Sequence, residues 1–312
     1  MRGRQDVDVV ELVDPRFDLW RFGRRLYWDQ LRAPALARRA RADVFHFTGG
    51  TLPWRGPHPA VLTLHDVFWR HRAVRPRAHI RWYFDEFQPR LARRAEIIAT
   101  DTASMRAEVI EALAIDPARV VVAGAAVDAA YFEVERMPSA APFALSVGTV
   151  EERKDLVTAV KAVARLPGLR LVSVGPLTSY AAEVVRVART LGIERRIELR
   201  GYVAEAALRD LYKRAAVLVS ASRYEGFGLP PLQALAAGLP VVAVRTPVSE
   251  EVLAECARLP AAGDDAEFSR CIDAVLRCEG SDPRIAAGRE RARRYTWANV
   301  AQKMMEIYNV LR

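Results

Sequence analysis

The chain of 312 residues, 51% hydrophobic and 27% charged, is about two ordinary domains long and too apolar for a disordered linker. No window approaches the ~20 apolar residues of a membrane span, the opening MRGRQDVDVVELVD lacks a signal-peptide core, and Cys256, Cys271 and Cys278 form no CxxC pair, so a soluble cytoplasmic protein without a disulfide framework or zinc site is expected. Residues 1–100 hold 19 Arg, no Lys and 11 Asp plus Glu, a balance of +8 within the chain's +9; this permits contact with an anionic membrane surface or a phosphorylated acceptor, or simply a solvated arginine-rich surface, and no nucleic-acid signature accompanies it.

From residue 43 onward short apolar runs alternate with longer amphipathic ones. DVFHF, AVLTLHDV, EIIAT and RVVVAG come first, then FALSVGTV, LRLVSVG, RIELRGY, AVLVSAS and LPVVAV. Runs of this length and β-branched content, separated by helical stretches, predict parallel strands buried on both faces, in two doubly wound α/β sheets. Periodicity lapses over residues 124–143, which places a domain boundary near 137. The closing TWANVAQKMMEIYNVLR sets Val300, Met304, Ile307, Tyr308 and Leu311 near one stripe of a helix that has to dock on something.

In open parallel sheets ligands bind beyond the carboxyl ends of the strands. The first strand of the second half leaves through Gly148 and Thr149 and enters a helix near Asp155, so Arg153 and Lys154 stand where an anion would be received. Cations at a helix N-terminus oppose its dipole, and an anionic ligand would relieve the conflict; a solvated basic loop is the plainer alternative. Neither GxxxxGK[ST] nor GxGxxG occurs, which argues against ATP hydrolysis and NAD binding. After RIELR, Gly201, Tyr202 and Val203 form a loop. After AVLVSAS come Glu225, Gly226, Phe227, Gly228 and Leu229, then Pro230 and Pro231 in a first helical turn that Gly238 later ends. Glycines let main chain approach a ligand and N–H groups at a helix start favour phosphate, whereas Glu225 would repel phosphate and suits sugar hydroxyls, or a helix cap.

At this point the residues resemble a family. GTVEERKDL followed by RGYVAEAALRDLYKRAAVLVSASRYEGFGLPPLQALAAGLPVVA is similar to the C-terminal domain of the family 4 retaining glycosyltransferases of the GT-B fold. ADVFHFTGGTLP, VLTLHDVFWR, IIATDTASMRAEV and VAGAAVDAAYF resemble strand-ends of that family's acceptor domain. The resemblance covers nearly the whole chain and implies two Rossmann-like domains facing a cleft: residues 1–137 on the acceptor side, 138–294 binding a nucleotide-sugar donor, and 295–312 as a helix returning to the first domain. It implies transfer of a hexose, mannose-type by family, from a nucleoside diphosphate to a glycan, glycolipid or other glycoconjugate at the cytoplasmic face of a bacterial membrane. Retention at the anomeric carbon, no metal and no cofactor beyond the donor substrate are implied with it.

Residue by residue, Arg153 and Lys154 match the basic pair on the donor diphosphate, with Gly148 and Thr149 in the turn beside it. Tyr202 and Val203 match the loop against the base. Glu225 matches the first acid of the family's E-x7-E motif on the donor sugar, and the amides of Gly226 to Leu229 match the sugar-phosphate cradle. His65 matches a histidine facing that sugar; His46, His58, His71 and His79 read as packing or surface histidines. Two departures stand out. Gln233 occupies the place of the motif's second acid, toward the ribose, and only six residues precede Val7, so the family's first strand and glycine-rich loop are expected to be missing. The alternatives are a non-catalytic nucleotide-sugar-binding partner protein and another GT-B enzyme, such as an epimerase or phosphorylase.

Overall fold

The computed structural model describes residues 7–14, 22–68, 82–278 and 280–312. Each of the nine apolar runs forms a strand. β1 (Phe45–Phe47), β2 (Ala60–Thr63), β3 (Ile97–Thr100) and β4 (Val120–Val122) make one sheet in that order; β5 (Phe143–Val147), β6 (Arg170–Val174), β7 (Ile197–Leu199), β8 (Val217–Ser220) and β9 (Val241–Ala243) make a second, in the order β7-β6-β5-β8-β9. Every pairing is parallel. The central strands carry apolar residues on both faces, with all of β2 and β9 buried, as parallel strands covered on both sides require. In the second sheet the winding reverses between β5 and β8, which fixes where a ligand crevice opens.

The chain divides into two compact units, Met1–Gly124 with Ala298–Arg312, and Ala125–Trp297. The division therefore falls at Gly124 and not near residue 137. The reason lies in residues 125–137: Val127 and Tyr131 are buried in the second unit's core, and Tyr131 packs edge-on against Tyr212 with ring centroids 5.2 Å apart. Arg136 donates to the carbonyls of Tyr212, Lys213 and Ala215, satisfying the orphan carbonyls at the end of helix Glu205–Arg214. Small residues and prolines mark a boundary in sequence, but burial decides which side they join.

Of the helices, α1 (Ala103–Leu113), α2 (Leu156–Ala164), α3 (Glu205–Arg214), α4 (Leu229–Ala236) and α5 (Trp297–Leu311) concern the site. α5 belongs to the first unit. Its buried Met304 and Ile307, with Val300, Tyr308 and Leu311 beside them, pack on Val61, Ala99 and Ala123, each fully buried side chain contributing about 2 kcal/mol. The helix begins at Trp297 and not at 295, because Tyr295 stays in the second unit: its carbonyl accepts from Val127 N–H at 3.1 Å and its ring meets Phe227. Among the described residues no helix is long and apolar enough to cross a membrane.

Candidate active site

Three strand-ends of the second unit are stitched together by main chain. Gly148 N–H donates to Val174 O, Val150 N–H to Pro176 O and Gly175 N–H to Gly201 O, each at 2.8 Å. Gly175 has φ +141, and a Cβ there would lie 2.2 Å from Gly148 O, so the turn after β5 rests directly on the turn after β6. Beside it a shallow crevice opens at the carboxyl ends of β5 and β8, lined by Ser146, Gly148, Thr149, Lys154, Ser220 and Ser222 among others.

The basic pair sits in a single 3-10 turn, Glu152–Lys154, closed by Asp155 in the left-handed conformation with φ 45 and ψ 46. A non-glycine residue there is uncommon and held by its surroundings. The Asp155 carboxylate, 5% exposed as a residue, accepts from Thr158 Oγ1 at 2.8 Å and from Arg223 Nε at 2.9 Å. Arg223 N–H in turn donates to Arg153 O at 3.0 Å, and Arg153 Nη1 to Tyr224 O at 2.7 Å. The loops after β5 and β8 are thus one cradle, and Asp155, Arg223 and Gly175 are its supports. Sequence reading placed Asp155 only at the helix start and passed over Arg223 and Gly175; the left-handed aspartate and the Arg223 contact are not visible in spacing.

Within that cradle Lys154 donates to Glu225 Oε1, Arg153 Nη1 lies 3.5 Å from Glu225 Oε2, and Arg153 Nη2 donates to Glu151 at 2.7 Å. The structure brings together the two cations and the acid that sequence had placed on separate loops. Glu225 and Glu151 face the two cations at the start of α2 and offset their conflict with the helix dipole. α4 is preceded by Gly228 at its N-cap, left-handed at φ 83, with prolines in its first turn. Since Pro230 and Pro231 have no N–H, the main-chain donors there are those of Gly228 and Leu229. The Phe227 side chain is buried, so that position offers a ligand main chain alone. Tyr202 is 83% exposed, while Val203 packs on the core beneath it. Half-buried Gln233 turns its Oε1 to the hydroxyl of buried Tyr212, which stands 3.2 Å from it and 3.2 Å from Pro230 O.

In the first unit, His65 follows β2 and its Nδ1 stands 2.7 Å from Asp101 Oδ2. The Asp101 bond raises the His65 pKa above its ordinary 6.5; burial opposes it more weakly, and Asp101, Asp66 and the Thr48 carbonyl add to the rise. His46 is a packing residue, held by Thr63 Oγ1 and Tyr308 Oη at 2.7 Å each. Burial, with the charge of His65, pushes it down to about 4. His58 pairs with Glu96 at 2.9 Å, and His71 and His79 lie outside the described residues. The two perturbed histidines act on stability in adjoining pH windows. His65 binds its proton more tightly folded than unfolded, so its contribution is complete below pH 6.5 and fades above it. His46 stays neutral when folded, so stability falls as pH drops from 6.5 toward 4, by about 3 kcal/mol. Denaturant titration at pH 7 and pH 4.5 of the wild type and His46→Gln should show this loss in the wild type and a smaller one in the variant.

A profile of the family described as "Glycosyl transferases group 1" matches residues 127–294. The chain belongs to the group 1 glycosyl transferases. A second profile, "Glycosyltransferase Family 4", matches residues 2–131. Among curated relatives of this group, the chain is 28% identical over 267 residues to the MMP alpha-(1->4)-mannosyltransferase of Mycolicibacterium hassiacum, across 80% of this chain and 65% of that one. It is 27% identical to the O-antigen chain mannosyltransferase B of Escherichia coli, across 90% and 78%. The chain thus spans just under two thirds of the first relative's length. Its fold is that of a solved glycosyltransferase from Rickettsia africae ESF-5, with a TM-score of 0.70 at 16% identity over 98% of this chain and 85% of that one, and of Anabaena Alr3699/HepE in complex with UDP and glucose, with a TM-score of 0.68 at 18% identity over 81% and 72%. This group 1 chain carries Glu225 beside both cations and an amide, Gln233, at the eighth position after it.

Proposed function

We propose that the protein transfers a hexose, of mannose type, from a nucleoside diphosphate sugar to a glycan or lipid-linked acceptor, with retention at the anomeric carbon and without a metal or further cofactor. The observation that carries this reading is the meeting of Arg153, Lys154 and Glu225 beside Gly148 and Thr149 at the point where the sheet's winding reverses. Cations fixed in a low-dielectric crevice stabilise a departing diphosphate, the largest single requirement of the reaction. The Gly228 and Leu229 amides supply further donors, Glu225 accepts from sugar hydroxyls, and exposed Tyr202 is available to a base. His65 is read as a group that meets the donor sugar. Two relatives named as mannosyltransferases support the sugar, and the UDP complex of a neighbour supports a nucleotide donor. The arginine excess of the first hundred residues supports an acceptor at an anionic membrane surface on the cytoplasmic side.

Calorimetric titration with GDP-mannose and UDP-glucose tests the reading: one of them should bind and release its nucleoside diphosphate on turnover, and silence with both would overturn it. Binding with no turnover under any acceptor would instead favour a nucleotide-sugar-binding protein, a reading that Gln233 supports. At that position Tyr212 takes the side-chain oxygen, so the amide has its Nε2 left for a ligand. Gln233→Glu would restore a carboxylate oxygen for a ribose hydroxyl, and a charge-assisted bond is roughly twice as strong as a neutral one. Donor affinity should rise about fivefold; an unchanged affinity would mean that residue 233 does not meet the ribose.

A further inference from the structure

We propose that Asp101 is a positioning residue for transfer, its carboxylate fixing the ring of His65 in a single orientation at the carboxyl end of the first sheet. The inference rests on the reading of His65 as a group that meets the donor sugar. It begins with register. β2 and β3 are parallel neighbours with Thr63 opposite Ala99, and the ladder continues one step further through Leu64 N–H to Ala99 O at 2.9 Å. Two residues beyond that pair, His65 and Asp101 leave the sheet side by side, and their side chains meet at 2.7 Å.

Asp101 cannot stray. Thr100 before it is fully buried, and Thr102 after it caps α1, its hydroxyl accepting from Met105 N–H at 3.0 Å. A carboxylate in a residue only 7% exposed has lost most of its hydration and needs a donor. His65 has the opposite character, with 61% of its side chain exposed. A histidine used for packing has both ring nitrogens satisfied within the core, as His46 does one strand away. His65 is gripped at Nδ1 by a buried acid and also meets the Thr48 main chain, yet most of its side chain stays exposed, the arrangement of an orienter and the group it orients. Asp101, Asp66 and the Thr48 carbonyl all favour the charged ring, while His46, the neighbouring titratable group on β1, is kept neutral by burial. Asp101 therefore fixes the orientation of the ring and favours its protonated form.

The test compares Asp101→Asn, Asp101→Glu and His65→Ala, with GDP-mannose and UDP-glucose as donors and nucleoside diphosphate release as the readout. The His65 ring proton is followed by NMR across pH. Asp101→Asn keeps the shape and removes the charge. It should lower kcat about 10- to 100-fold with donor KM nearly unchanged, move the alkaline limb of the rate profile toward lower pH, and lower the pH at which His65 titrates. Asp101→Glu should restore part of each and carries the test if the asparagine variant does not fold. A fall in kcat with the pH limb and the His65 titration unmoved would make Asp101 a structural residue and overturn the proposal, as would an unchanged kcat. Full activity in His65→Ala would overturn the reading of His65 itself; the two failures are told apart because Asp101→Asn would then still shift the His65 titration.

Discussion

Gly175→Ala should cost the protein about 3 kcal/mol of stability and most of its donor affinity together. The glycine ends β6 at φ +141, a region that residues with a Cβ rarely adopt, and the added carbon would lie 2.2 Å from Gly148 O and 2.5 Å from Gly148 C. Both obstacles are main chain, so no side-chain rotation can make room. The turn after β5 has to move, and with it the bonds from Gly148 N–H to Val174 O and from Val150 N–H to Pro176 O. Those bonds hold the lip of the crevice that Gly148, Thr149 and Lys154 line. Gly168→Ala is the matched control: it too has positive φ, +81, but a Cβ there meets nothing within 4 Å, so it should lose about 1 kcal/mol and leave donor binding intact. Denaturant titration and calorimetry on the two variants check both parts. Equal losses in the two would show that the close approach to Gly148 carries no weight.

The same stretch shows what sequence could and could not disclose. Strands buried on both faces are nearly continuous in Val, Leu and Ile, so all nine runs could be read directly. The cradle's parts were legible too, because glycine, proline and charge at strand-ends each have a local cause. Their mutual contacts were not. Lys154 and Glu225 are 71 residues apart in the chain and adjacent because β5 and β8 are neighbours in a winding that no spacing records. Asp101 meets His65 through strand register, and Asp155 holds a left-handed turn through an arginine from another loop. The boundary at Gly124 was missed for a related reason: Tyr131 looks like a linker residue until Tyr212, far along the chain, is packed against it.

Lys154→Ala and Glu225→Gln should part company in a way that tests the site more sharply than loss of activity alone. Glu225 lies against both cations of the cradle, with its side chain and theirs each 19% exposed. In the proposed reaction a diphosphate drawing on Lys154 competes for it with the Glu225 carboxylate, which is also the acid offered to sugar hydroxyls. Lys154→Ala removes a fixed charge from the departing diphosphate and should lower turnover about 10²- to 10³-fold, with nucleoside diphosphate affinity falling as well. Glu225→Gln should lower turnover by a comparable factor, because the acceptor of the sugar hydroxyls loses its charge, yet it should bind UDP or GDP more tightly than the wild type, because the cations are released. Stability should change little in the glutamine variant, since Arg153 keeps Glu151 as a partner at 2.7 Å. Calorimetry with free UDP and GDP, set beside the turnover of each variant, separates the cases. Weaker nucleotide binding in Glu225→Gln would mean that the acid supports the phosphate site instead of competing for it, and equal losses of turnover and stability would return Glu225 to a purely structural place at the head of α4.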